Sequence, residues 1–134
     1  MFKSKPIQPF TPYGLERDWG KEAVVAETEH YTGKLLLYDE GKAGGLQAHQ
    51  FKDETFYLFE GLAWVDYDPG GGALASVQMR AGESFHIPPG AVHRFRAITF
   101  CVVFETSTPH KDDRRRLEVE YGEPEPADGL PSTW

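Results

Sequence analysis

Cysteine is almost missing from this chain of 134 residues: Cys101 stands alone, so no disulfide can form within it and an apolar core has to hold the fold. It lies in Thr99-Phe100-Cys101-Val102-Val103-Phe104, which reads as a buried strand and not as the setting of a reactive thiol. Long apolar runs are missing too. No segment approaches the roughly 20 apolar residues of a membrane helix. Met1 to Pro6 does not read as a signal peptide, and a cytoplasmic location is expected. Positive charge is scarce: 14 Lys and Arg against 21 Asp and Glu leave a formal net charge of −7. That balance argues against a nucleic acid or an anionic membrane as partner. An anionic small substrate stays open, because a metal and a few basic groups can set the field inside a cavity. No repeat of fixed period occurs, and no stretch carries helical periodicity.

What the chain does have is 40% hydrophobic and 13% aromatic residues, enough for one well-packed domain. Short extended runs recur from Ala23 onward, among them Gly33 to Tyr38, Thr55 to Tyr67, Val92 to Ala97 and Thr99 to Thr106, each bounded by Gly, Pro or charged residues. Gly70-Gly71-Gly72 after Asp68-Pro69 reads as a hairpin loop. Many short strands with turns between them imply an all-β sandwich or barrel. Residues 1–22, with four aromatics and three prolines in the first twenty, read as an arm. Residues 23–110 read as the barrel. Residues 111–134 read as a C-terminal segment ending in a flexible tail rich in Pro, Glu and Ala.

The densest chemical signal is Gln47-Ala48-His49, then Glu54, then His93. Along a strand, side chains two apart face the same way, so Gln47 and His49 point together into one cavity. Two imidazoles and a carboxylate are a ligand set for one divalent transition metal, with the Gln47 amide oxygen as a weaker fourth. Such hard N and O donors suit Mn(II), Fe(II), Zn(II) or Ni(II) better than soft copper. His86 is a further candidate for the cavity, its alternative being a rim histidine satisfied by a carbonyl. Lys34, Lys52, Arg94 and Arg116 are candidates to supply positive charge toward a substrate. Alternation sets a limit here: Arg94 and His93 cannot both point inward.

These residues carry a resemblance. Gly41-x5-Gln47-x-His49-x4-Glu54-x6-Gly61 resembles the first cupin motif, and Gly82-x5-Pro88-x-Gly90-x2-His93 resembles the second. Gln47 replaces the first His of the pattern, and Ala97 the Asn that often ends it. Over residues 17 to 122 the chain is similar to the cupin domain of type II mannose-6-phosphate isomerases. The similarity rests on Arg17-Asp18-Trp19-Gly20, Leu46-Gln47-Ala48-His49, Phe85-His86-Ile87-Pro88-Pro89-Gly90 and Arg116-Leu117-Glu118-Val119-Glu120-Tyr121-Gly122. Two closing residues depart from that family: Val119 stands where Asp is usual and Glu123 where the final Arg is usual.

The resemblance implies a single-domain jelly-roll barrel, the double-stranded β-helix of cupins. It also implies a metal-dependent enzyme that acts on a small carbohydrate by aldose–ketose isomerisation, with Glu54 or His86 as the proton-transferring group. Two other classes remain open: a non-haem metal dioxygenase or related oxidative cupin using His49, Glu54 and His93, and a metal-containing sugar-binding module without turnover. If the C-terminal segment folds over the cavity mouth, Glu123, Glu118 and Glu120 would repel phosphate, and a neutral free sugar, or a substrate whose phosphate is bound differently, would be preferred over mannose 6-phosphate. The apolar arm, with Phe2, Phe10 and Tyr13, together with unpaired strand edges, implies a homodimer.

Overall fold

A computed structural model describes residues 1–126 and 130–134. Eleven strands run in chain order: β1 (Tyr13–Arg17), β2 (Gly20–Glu27), β3 (Thr32–Tyr38), β4 (Gln47–Ala48), β5 (Glu54–Glu60), β6 (Leu62–Tyr67), β7 (Ala75–Arg80), β8 (Ser84–Ile87), β9 (His93–Ala97), β10 (Cys101–Ser107) and β11 (Arg115–Arg116). They form a six-stranded sheet in the order β1-β2-β3-β10-β5-β8, facing a five-stranded sheet in the order β11-β4-β9-β6-β7. Neighbours in both sheets pair antiparallel. No α-helix occurs among the described residues, so none there crosses a membrane.

The alternation read from the sequence is what sorts the side chains. On β5, Glu54, Phe56 and Leu58 are buried while Tyr57 and Phe59 are exposed. Leu58, Met79 and Val103 are fully buried between the sheets, and Cys101 joins them. Burial pushes the Cys101 thiol above its usual pKa, so it is packing material and not a nucleophile. Trp19 stacks on Tyr38 with ring centroids 4.1 Å apart. Gly61 makes the link from β5 in the first sheet to β6 in the second at φ 109°, where a Cβ would run into the Phe100 carbonyl and the Cys101 Sγ.

The barrel takes in more chain at both ends than the sequence boundaries allowed. Tyr13–Arg17 pairs with β2 in register Tyr13↔Val24 to Arg17↔Gly20, so only residues 1–12 extend as an arm. At the other end β11 pairs with β4, and Leu117 packs with Leu46 and Ala48 in a second small core. The expected flexible tail falls in part on residues 127–129, outside the described residues. Residues 130–134 lie against β11, with the Thr133 and Trp134 amides donating to the Arg114 carbonyl at 2.8 and 3.1 Å.

Asp66 anchors the outer face of the second sheet. It is 2% exposed and accepts hydrogen bonds from Arg94, Arg96 and Ser76. Burial opposes its ionisation, but the bonds from Arg96, Ser76 and Arg94 outweigh it and hold the carboxyl at about 2, against an ordinary 3.8. A depressed carboxylate pKa gives stability that is present above the ordinary value and lost as pH falls toward about 2. Asp66→Asn should therefore destabilise the fold at neutral pH by about 2 kcal/mol, less than a fully buried pair because Arg96 is 39% exposed. Urea unfolding at pH 7 and pH 3 checks both parts: the gap between variant and wild type should narrow in acid.

Candidate metal centre

Three strands bring the ligand candidates together. Gln47 on β4 pairs in register with His93 on β9, which places both on the inner face of the second sheet. His49 follows β4 directly, and Glu54 opens β5 on the opposite sheet. Glu54 Oε1 stands 3.1 Å from His93 Nε2 and 3.6 Å from His49 Nε2. One ligand atom from each of His49, Glu54 and His93 lies within 4.8 Å of the others, and all three residues are buried.

The surroundings fix the imidazoles. His49 Nδ1 meets the Asp113 carbonyl, and His93 Nδ1 lies 3.0 Å from the Ala91 carbonyl. A carbonyl only accepts, so each Nδ1 is the donor to it, and each ring turns its Nε2 toward Glu54. Glu54 Oε1 and His93 Nε2 are buried and make no conventional hydrogen bond, while Glu54 Oε2 has the Lys52 ammonium 2.9 Å away. Two imidazole nitrogens and a carboxylate oxygen converging in a buried site are a donor set that fits a divalent metal. Burial pushes Glu54 up, but His93, Lys52 and His49 outweigh it, so the carboxyl is held well below the usual range and stays ionised. Burial also lowers the His49 pKa against the opposing pull of Glu54, which favours the neutral, ligating form.

Asp113 holds this arrangement from behind, a role the sequence did not disclose. Its carboxylate accepts from the backbone amides of Gln50, Phe51 and Lys52 at 3.0, 2.7 and 2.9 Å, pinning the turn between His49 and Glu54. The same residue's carbonyl orients His49.

His49 and Glu54 line a cavity of about 150 Å³, whose wall also includes Gln47, Lys34, Lys52 and Arg116. Lys52 Nζ bridges Glu54 Oε2 at 2.9 Å and Glu105 Oε2 at 3.3 Å. Its burial works against the ammonium, yet Glu105 and Glu54 raise its pKa well above the usual lysine value. Glu105, 6% exposed, also faces Lys34 at 4.0 Å. Burial pushes its carboxyl up despite the pull of Lys52. Glu22 accepts from Arg17 and pairs with Lys34, both at 2.8 Å. Glu22, Glu105 and Arg17 were missed from the sequence.

Other expected members lie elsewhere. His86 is not in this cavity: Phe85 and Ile87 take the inward phase of β8, so His86 points outward and pairs with Asp53 at 2.6 Å. Arg94 is outward as well, because His93 takes the inner phase of β9, and it binds Asp66. Glu123 sits with it, accepting from Arg94 Nη1 at 3.4 Å, and not at the cavity mouth. Glu118 is buried against Arg116, and Glu120 pairs with Arg115. The expected ring of carboxylates against phosphate is therefore absent from the described cavity wall.

Residues 34–106 match the family described as the cupin domain. The chain belongs to the cupin family. Among solved structures, this cupin resembles KdgF from Halomonas sp. with a TM-score of 0.60 at 20% identity, over 69% of this chain and 80% of that one. An RmlC-like cupin from Shewanella frigidimarina gives a TM-score of 0.60 at 23% identity, over 68% and 77%. The capsular polysaccharide assembling protein CapF from Staphylococcus aureus gives 0.70 at 16% identity, over 81% of this cupin but 34% of CapF. At these identities the likeness establishes the fold alone. No curated protein matches the sequence.

Proposed function

We propose that this cupin is a metal-dependent enzyme acting on a small carbohydrate, by aldose–ketose isomerisation of a sugar or sugar phosphate. The observation that carries the reading is Glu105, a buried carboxylate in the cavity wall, joined through Lys52 to the His49–Glu54–His93 trio. A divalent ion held by His49, Glu54, His93 and Gln47 would supply Lewis acidity for the carbonyl and adjacent hydroxyl of an open-chain sugar. Glu105 is placed to do the proton work. It takes the proton from the carbon next to the carbonyl and returns it to the former carbonyl carbon, while the hydroxyl proton passes to the carbonyl oxygen. Aldose and ketose then interconvert with no atom gained or lost. Burial that raises the Glu105 pKa suits a group that must both accept and release a proton. Glu54, held ionised, ligates instead: two carboxylates with opposed environments take opposed roles. Trp19 and Phe56 supply the apolar part of the wall. CapF, the capsular polysaccharide assembling protein, is likewise concerned with carbohydrate.

A second reading is an oxidative cupin, favoured by the two-His, one-carboxylate trio itself. Loading the protein separately with Mn, Fe, Zn and Ni, then following isomer formation and oxygen uptake on a panel of sugars and sugar phosphates, separates the two. Isomer formation without oxygen uptake is expected; oxygen uptake tied to product would select the rival.

Pairing of two copies belongs to the same reading. Phe2 and Ile7 of the arm are 91% and 98% exposed, and Phe59 and Phe104 are exposed on the outer face of the first sheet. Light scattering should give twice the 15.1 kDa chain mass, falling to one chain when residues 1–12 are removed. A monomeric mass for the full chain contradicts it.

A further inference from the structure

The cavity wall is cationic in an acidic protein. Among the described residues, Arg17, Lys34, Lys52, Arg114 and Arg116 line it against three carboxylates, Glu22, Glu54 and Glu105, with a fourth, Glu118, buried behind Arg116; one cation remains in excess, whereas the chain carries a net −7. A divalent ion in the trio would add to this excess. Such a field draws in anions.

Two of these cations, Arg114 and Arg116, both hold the C-terminal segment, while Nε and Nη2 of Arg116 are also paired with the Glu118 carboxylate. Arg116 Nη1 donates to the Leu130 carbonyl, and Arg114 Nη2 donates to the Pro131 carbonyl at 2.9 Å. The segment carrying these carbonyls is held to the same two residues by polar bonds: the Arg116 amide to Ser132 Oγ at 2.8 Å and the Arg114 amide to Thr133 Oγ1 at 3.0 Å. Leu130 reaches into the cavity wall, while residues 131–134 are exposed. The opposite wall is shaped for the guanidinium: a Cβ on Gly45 would stand 2.9 Å from Arg116 Nε and 3.0 Å from its Nη2. A neutral carbonyl is a weaker partner for arginine than an anionic oxygen, which makes a charge-assisted bond about twice as strong.

We propose that the cavity takes a small ligand bearing a carboxylate or phosphate, whose anionic oxygens displace the Leu130 and Pro131 carbonyls from Arg114 and Arg116. Residues 130–134 are then a strap that occupies the anion position until the ligand arrives. This rests on the cavity being the substrate site, and of the two alternatives expected from the sequence it sets aside the neutral sugar.

The test uses three open-chain compounds that cannot isomerise: sorbitol, gluconate and sorbitol 6-phosphate, titrated calorimetrically into metal-loaded protein at fixed ionic strength. Gluconate or sorbitol 6-phosphate should bind about tenfold or more tightly than sorbitol, and the tighter of the two identifies the anionic group. Arg114→Gln should weaken the anion about tenfold and leave sorbitol unchanged. Removing residues 130–134 should tighten the anion, because its competitor is gone. Equal affinity for all three compounds would overturn the proposal. So would an anion preference that neither variant alters, since that preference would belong to the metal alone, or weaker anion binding after truncation. Because none of the probes turns over, a failure of the isomerase reading leaves this result standing, and the converse holds as well. The truncation removes mainly exposed residues, so it remains informative if Arg114→Gln folds poorly.

Discussion

His49→Ala and His93→Ala should each abolish stoichiometric binding of a divalent ion. Each imidazole has its Nδ1 committed to a backbone carbonyl, so neither ring can turn to replace the other, and no further His, Cys, Asp or Glu joins the trio among the described residues. Losing an outer-shell partner already costs metal sites about 10–100-fold in affinity, so losing a ligand from this set should cost more than about 100-fold. Gln47→Ala should cost less, near tenfold, because an amide oxygen is a neutral and weaker donor than imidazole or carboxylate. Equilibrium dialysis with metal analysis checks the order. Protons compete for the same nitrogens, and the sign follows from burial. Burial lowers the His49 pKa from 6.5, so its neutral form persists as pH falls through 6.5, and the ion should be released only in more acidic solution. Release beginning above pH 6.5 would show that another group controls it.

The second large effect belongs to Glu105. Glu105→Gln keeps the side-chain size but removes the proton-accepting carboxylate, so kcat should fall by about 10²–10⁴. The trio does not include Glu105, and the variant should still hold one ion per chain. Steady-state kinetics and metal content on the same preparation separate catalysis from structure. If activity and metal are lost together, Glu105 is only a support for Lys52; if neither changes, proton transfer runs through another group.

Much of the site was legible because ligands at fixed offsets survive without any knowledge of packing. The spacing from Gln47 to Glu54 and the arrival of His93 after Pro88 and Gly90 define the centre. The residues that were missed contribute through strand phase. Glu105 follows Cys101 and Val103 at every second position, and Glu22 shares the phase of Val24, so both point inward. A charge in the buried phase of an apolar strand was the available signal. His86 and Arg94 failed by the same rule: Ile87 and His93 hold the inner phase beside them. Nothing local could have revealed Asp113, which acts across about sixty residues of sequence on the Gln50–Lys52 turn. Nor could Glu123 be placed from its motif position, because the Asp66–Arg94–Arg96 cluster draws it to the outer face.

Incubation of metal-loaded protein in D₂O with a panel of aldoses, aldose phosphates and sugar acids, read by proton NMR, tests the central claim most directly. For a substrate, the account expects loss of the proton signal on the carbon next to the carbonyl, with isomer formation, in the wild type. After removal of the metal, or with Glu105→Gln, that signal should persist. Neither deuterium incorporation nor isomer formation from any compound with any of Mn, Fe, Zn or Ni loaded would contradict it.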